Sequence, residues 1–137
     1  MNSTAQTLHA IAYYIDQYGL HTGEQFADSD QMFRFDICAI AYIVGETSAW
    51  PPVFFTDEVA SIELIESSEP AMAAIKVISA ALDSEPCETN GVPDYIEHVS
   101  NWACTPAPFE TAPPTVSEVI GRILRAADHA NATPAAA

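Results

Sequence analysis

Few side chains in this sequence are suited to catalysis or metal binding, and they are widely spaced. The 137 residues include four histidines and three cysteines, the residue types that most often bind zinc. His21, Cys38 and His98 would form a metal, small-ligand or enzyme site only if the fold gathered them. Their spacing matches no zinc-binding pattern, so the sequence predicts no metal ion and no cofactor.

Asp94 and Glu97 are one helical turn apart and stand beside His98. A carboxylate next to an imidazole is suited to general acid–base catalysis, although a solvated helix face has the same pattern. The sequence contains no glycine-rich phosphate loop, nucleophile elbow or paired-histidine zinc helix. It therefore predicts no catalytic residues and favours a non-enzymatic role.

The charge is strongly one-sided, because 19 acidic residues face only four basic ones, for a net charge of −15. Nucleic-acid phosphates and anionic lipids attract clustered Lys and Arg, so we expect neither nucleic-acid nor membrane binding. A negative field steers basic partners towards the protein, although an ordinary solvated surface would have the same composition. The densest acidic run supplies the candidate binding residues, which are Asp57, Glu58, Glu63, Glu66 and Glu69.

Aromatic residues flank two prolines in the segment of residues 50–55. Trp50, Phe54 and Phe55 are interpreted in three ways: as loop residues pinned to the core, as an apolar docking surface, or as the symmetric interface of a homo-oligomer. The two prolines predict that residues 46–56 are not helical.

The central element is the stretch of residues 37–44, which carries no charge and whose one polar group is the phenol of Tyr42. A segment that is apolar on every side must be surrounded by protein. Asp36 is suited to cap a helix at its start, and Gly45 to end it. A helix through the core is the favoured prediction, with a buried strand as the alternative.

Apolar stripes and caps predict the remaining helices. Ser3 or Thr4 would start the first helix, Thr56 the third and Ser68 the fourth, and Thr115 with Glu118 would form a capping box for the last. The predicted spans are residues 4–18, 57–67, 68–82, 93–103 and 115–129. The fold class is thus all-α, a compact irregular bundle of five to six helices in one domain (residues 1–129), with a short hairpin near residues 31–35 and a disordered tail at residues 130–137.

Three short motifs resemble a small domain-of-unknown-function family found in actinobacteria and their phages: Cys38-Ala-Ile-Ala-Tyr, Val99-Ser-Asn-Trp102 and the Thr115–Ala127 helix. Ala41 stands where that family has glycine, and Ala103-Cys104 follow Trp102 in place of Asn-Asp. The resemblance implies structural roles for Cys38, Trp102 and Glu118, and an actinobacterial or phage-encoded accessory protein; we expect it to act on a host factor or a basic protein surface. Without a signal-like N-terminus, we expect a cytoplasmic protein that binds a protein partner, with a basic protein as one alternative.

Overall fold

The computed structural model describes residues 3–23, 26–28, 34–46 and 49–132. In these ranges the chain is all-α apart from one small hairpin, which confirms the predicted fold class. None of the helices described there is long and apolar enough to cross a membrane. The elements are α1 (Thr4–Tyr18), α2 (Ile37–Glu46), α3 (Val53–Thr56), α4 (Glu58–Glu66), α5 (Glu69–Ala81), β1 (Glu88–Thr89), β2 (Val92–Pro93), α6 (Tyr95–Cys104) and α7 (Val116–Ala132).

Helix α2 lies at the centre of the bundle and contacts α1, α4, α5 and α6. The side chains from Ile37 to Ala41 are fully buried, and the Asp36 carboxylate accepts a 2.8 Å hydrogen bond from the backbone N–H of Ala39. The predicted core helix and its cap are therefore confirmed. Its predicted end at Gly45 is wrong, because the helix continues to Glu46. A Cβ at Gly45 would come within 3.3 Å of the Ala71 nitrogen, so this glycine permits close approach of α5.

The capping signals identify most of the helix starts. Ser3 caps α1, Ser68 caps α5, and Thr115 forms a reciprocal capping box with Glu118 at the start of α7. The predicted cap at Thr56 is wrong. Asp57 caps α4 instead, accepting a 3.0 Å hydrogen bond from the Ala60 N–H.

The segment after the two prolines forms the single helical turn α3, contrary to the prediction that residues 46–56 are not helical. Pro52 stands at the N-cap, where its missing N–H costs no hydrogen bond. Phe54 is fully buried, and the rings of Trp50 and Phe55 lie 5.9 and 5.5 Å from that of Phe35. The docking-surface and oligomer-interface interpretations are therefore wrong for Phe54, because this aromatic cluster is directed into the chain's own core.

Extended backbone precedes α2 and pairs with the loop after α1. Phe35 forms an isolated antiparallel bridge with Ala27, and the Asp36 N–H donates to the Phe26 carbonyl at 2.9 Å. Residues 31–33 of the predicted hairpin lie outside the described residues. The His21 N–H donates to the Phe35 carbonyl at 3.0 Å, so this pairing holds the His21 segment beside the start of α2.

A hairpin occurs where the sequence predicted a loop. Strands β1 and β2 are joined by Asn90 and Gly91, whose φ angles of 55° and 79° suit the tight turn that Asn-Gly favours. At the C-terminus, α7 runs three residues past the predicted end at His129 and into the predicted tail. Residues 133–137 of that tail lie outside the described part of the chain.

Candidate functional site

A pocket of about 180 Å³ opens between the His21 segment, the start of α2, the start of α4 and one face of α6. Side chains with apolar surfaces form part of its wall: Phe26, Ile37, Ile62, Ile96 and Ala103. Its polar lining includes His21, Asp36, Glu58, Asp94, Glu97, Ser100 and Asn101. The pocket therefore combines apolar walls with many acceptor groups.

The lining of this pocket, which we call the acidic pocket, includes four acidic residues: Asp36, Glu58, Asp94 and Glu97. The four basic residues of the chain, Arg34, Lys76, Arg122 and Arg125, all lie in the described part of the structure, and none of them lines it. A concave site lined mainly by negative charges focuses the electric field and raises the local concentration of counter-ions. His21 is the one lining residue that can carry a positive charge, so acidic groups predominate in the lining.

Asp36 is the buried member of this group. Besides capping α2, its carboxylate accepts a 2.5 Å hydrogen bond from the Ser100 hydroxyl of α6. Burial raises the pKa of Asp36 to about 6, against a smaller lowering by the Ser100 and Ala39 hydrogen bonds and the charge of His21. The group therefore changes its charge just below neutral pH.

Glu58 and Glu97 differ from the other two carboxylates in having no hydrogen-bond partner among the described residues. Asp94 caps α6 by accepting from the Glu97 N–H at 3.0 Å, and its other oxygen accepts from the Thr89 hydroxyl at 2.8 Å. The side chains of Glu58 and Glu97 are exposed. Two carboxylates at the pocket are thus available to a ligand, and two are held in place by the fold.

The fold does not gather His21, Cys38 and His98, and the metal-site alternative built on them is contradicted. Only His21 of the three lines the pocket. The Cys38 thiol is buried, with Ser100 Oγ 3.5 Å from its Sγ. Burial first, and then the Asp36 charge, raise its pKa well above the usual range, so this thiol is inert. Across the described residues, no group of three or more His, Cys, Asp or Glu side chains is arranged to hold a metal ion.

His98 is turned away from the two acids beside it in sequence. Its Nδ1 lies 2.7 Å from the Ser79 hydroxyl and its Nε2 lies 2.8 Å from the Ser84 hydroxyl. Adjacent helical residues point about 100° apart, so Glu97 reaches the pocket while His98 packs between α5 and the loop after it. The predicted acid–base grouping of Asp94, Glu97 and His98 is therefore divided, and His98 has a structural role.

The acidic candidates around α4 are also divided. Glu58 alone lines the pocket, while Asp57 is committed to capping α4. Glu63, Glu66 and Glu69 are exposed outside the pocket lining. Asp36 and Ser100 were not among the site residues predicted from the sequence. An acid directly before a wholly apolar helix was visible in the sequence, but it was interpreted as a cap alone.

No family model, curated protein or solved structure matches the chain. The resemblance to a family of actinobacteria and their phages therefore stays a prediction. The residues that carry it lie at structural positions. Cys38 is in the core, Glu118 is in the capping box, and the half-buried Trp102 ring has the Arg122 guanidinium 6.0 Å from its centroid.

Proposed function

We propose that the chain is a small acidic binding protein that holds a basic side chain of a protein partner in the acidic pocket. The observation that carries this proposal is that acidic residues from three separate parts of the chain line one pocket, with no Lys or Arg among the lining. In this proposal the partner is a host factor or another protein with a basic surface, and the family resemblance favours an actinobacterial or phage-encoded accessory protein.

The pocket's chemistry suits arginine or lysine. The exposed carboxylates of Glu58 and Glu97 would pair with the cationic head group, since charge-assisted hydrogen bonds are the stronger ones. The aliphatic stem would lie against apolar lining such as Phe26 and Ile62, as long basic side chains do elsewhere. A volume of about 180 Å³ is below the roughly 300–1,000 Å³ of drug-sized sites, which favours one side chain.

A free organic cation is the second candidate, because the same carboxylates and the same small volume would accept it. The two occupants differ in what surrounds the cation. A protein partner also contacts the surface around the pocket, whereas a single small cation does not. Affinity for arginine amide compared with an arginine-containing peptide therefore separates them.

Titration calorimetry with a capped hexa-arginine peptide tests the proposal. Hexacitrulline is the matched control, because it keeps the length and hydrogen-bonding shape and removes the charge. We expect hexa-arginine to bind, more tightly than arginine amide, with an affinity that falls as salt is added. Equal affinity for hexacitrulline, or no heat with either peptide at low salt, would refute the proposed function.

A further inference from the structure

Phe109 is the most exposed large apolar side chain among the described residues. Its relative exposure is 107%, against 67% for Tyr13 and 62% for Val92. Scattered apolar residues on a surface are ordinary, but most keep part of their area against neighbours. Phe109 has no such contact and stands in the proline-rich connection between α6 and α7, so nothing in its own fold accounts for it.

The backbone at Phe109 is also held in an unfavourable conformation. The Glu110 N–H donates to the Ala107 carbonyl at 2.9 Å, which closes a four-residue turn with Pro108 second and Phe109 third. Phe109 has φ 69°, as a type II turn requires at its third position, where glycine is the usual residue. Left-handed backbone at a bulky residue is an outlier, and such strain concentrates at ligand clamps and binding segments.

We propose that Phe109 is an apolar anchor by which this chain docks on a protein partner, inserting into an apolar pocket edged by basic residues. Prolines before and within the turn restrict the loop, so little conformational entropy is lost when it docks. Aromatic anchors that fill a partner's pocket dominate many interfaces. The acidic neighbour Glu110 and the net charge of −15 are complementary to a basic rim.

This inference rests on the proposed function and deepens it by describing the partner's surface. The loop leaves α6 at Cys104, which lines the acidic pocket. Phe109 is five positions after Cys104, and an extended chain spans at most about 3.6 Å per residue. The Cα atoms of Cys104 and Phe109 therefore lie within roughly 18 Å of each other, so a single partner would contact both the Phe109 ring and the acidic pocket.

A second copy of the chain is the less favourable occupant. Two copies would each carry a charge of −15 and would repel one another. Charge therefore favours a different, basic protein. Self-association that Phe109→Ala abolishes would overturn the choice of partner.

The test uses the full chain and a lysate of its source organism. A protein that wild type enriches well above its share of the lysate is identified, purified and titrated against wild type, Phe109→Ala, Phe109→Leu and the matched exposed control Val92→Ala. We expect about 30-fold weaker binding for Phe109→Ala, a smaller loss for Phe109→Leu and no more than about twofold for Val92→Ala. Phe109→Ala should melt at the wild-type temperature, because the side chain makes no internal contact.

Two results would overturn the inference. One is that wild type retains no protein that Phe109→Ala fails to retain, and the other is that Phe109→Ala melts well below wild type, which would give the ring a role in the fold. The hexa-arginine titration does not involve Phe109, so it reports on the acidic pocket separately. Loss of peptide binding with retained Phe109-dependent partner binding would refute the proposed function and keep this inference.

Discussion

The Ser100 hydroxyl donates a 2.5 Å hydrogen bond to the Asp36 carboxylate, linking α6 to the start of α2. The same carboxylate accepts from the Ala39 N–H, so hydrogen bonds and the nearby charge of His21 hold the buried carboxylate without a Lys or Arg partner. Burial still raises its pKa to about 6. Asp36 therefore lowers the stability of the ionised fold while contributing negative charge to the acidic pocket.

Replacing Asp36 by Asn is expected to stabilise the protein at neutral pH. The pKa of Asp36 is about 6 in the fold against an ordinary 3.8, so between these values the folded state binds more protons than the unfolded chain. The contribution of Asp36 to the free energy of unfolding then falls as the pH rises from about 4 to about 6. Above pH 6 this contribution no longer changes with pH. Asn keeps the cap and its amide donates to Ser100, without the charge.

Urea unfolding of wild type and Asp36→Asn across this pH range measures the effect. The variant should gain up to about 3 kcal/mol over wild type at neutral pH, from 1.36 kcal/mol per pKa unit, and nothing near pH 4. A difference between the two proteins that does not change with pH would contradict the raised pKa. Lower stability of the variant at neutral pH would show that the carboxylate's hydrogen bonds outweigh its burial.

The cysteines provide an internal test of where a cation binds. Cys104 is exposed and lines the acidic pocket, whereas Cys87 is exposed outside that lining. Hexa-arginine at roughly ten times its Kd should slow alkylation of Cys104 about tenfold and leave Cys87 unaffected. Mass spectrometry of the two alkylated peptides gives both rates in one sample. Equal protection of both thiols would mean that the peptide binds the surface without preference for the pocket.

Glycine at position 109 is expected to be more stable than alanine there. Left-handed backbone costs an L-residue about 1–2 kcal/mol, while glycine loses about 0.4–1 kcal/mol through the greater freedom of its unfolded chain. In urea unfolding, the free energy of unfolding of Phe109→Gly should therefore be about 0.5–1 kcal/mol higher than that of Phe109→Ala.

The exposed helical position Ala80 is the matched control for this comparison. Ala80→Gly should show the opposite sign, with a loss of about 1 kcal/mol. If Phe109→Gly is instead the less stable of the two variants at position 109, the turn is not held in the left-handed conformation.

The sequence carries the local part of this fold because the signals lie within a few residues of one another. Ser3, Asp36 and Ser68 each cap a helix by accepting a hydrogen bond from a backbone N–H three positions on.

The spacing of apolar residues within α4 was a less reliable guide to which side of the helix is buried. Val59, Ile62 and Ile65 repeat every three residues, but Val59 is 67% exposed and the buried pair is Ser61 and Ile65. That pair follows the four-residue helical spacing more closely.

The acidic pocket could not be derived from the sequence, because its carboxylates lie far apart along the chain. Asp36 and Ser100 meet only because α6 packs against α2. The sequence shows that Asp94 and Glu97 are one helical turn apart. It does not show whether they face a pocket or solvent, because that depends on where the His21 segment and α4 lie. Phe109 was also not predicted as a binding residue, because the φ angle of a phenylalanine in a proline-rich connection cannot be inferred from the sequence.

Two pairs of substitutions with equal charge change test the central claim most directly. Glu58→Gln with Glu97→Gln removes two charges from the acidic pocket, and Glu63→Gln with Glu66→Gln removes two from α4 outside it. Hexa-arginine affinity should fall roughly tenfold or more for the first pair, since a lost charged hydrogen bond costs about 1.5–3 kcal/mol. The second pair should change it by no more than about twofold. Equal losses for both pairs would show that the overall charge, and not the pocket, attracts the peptide.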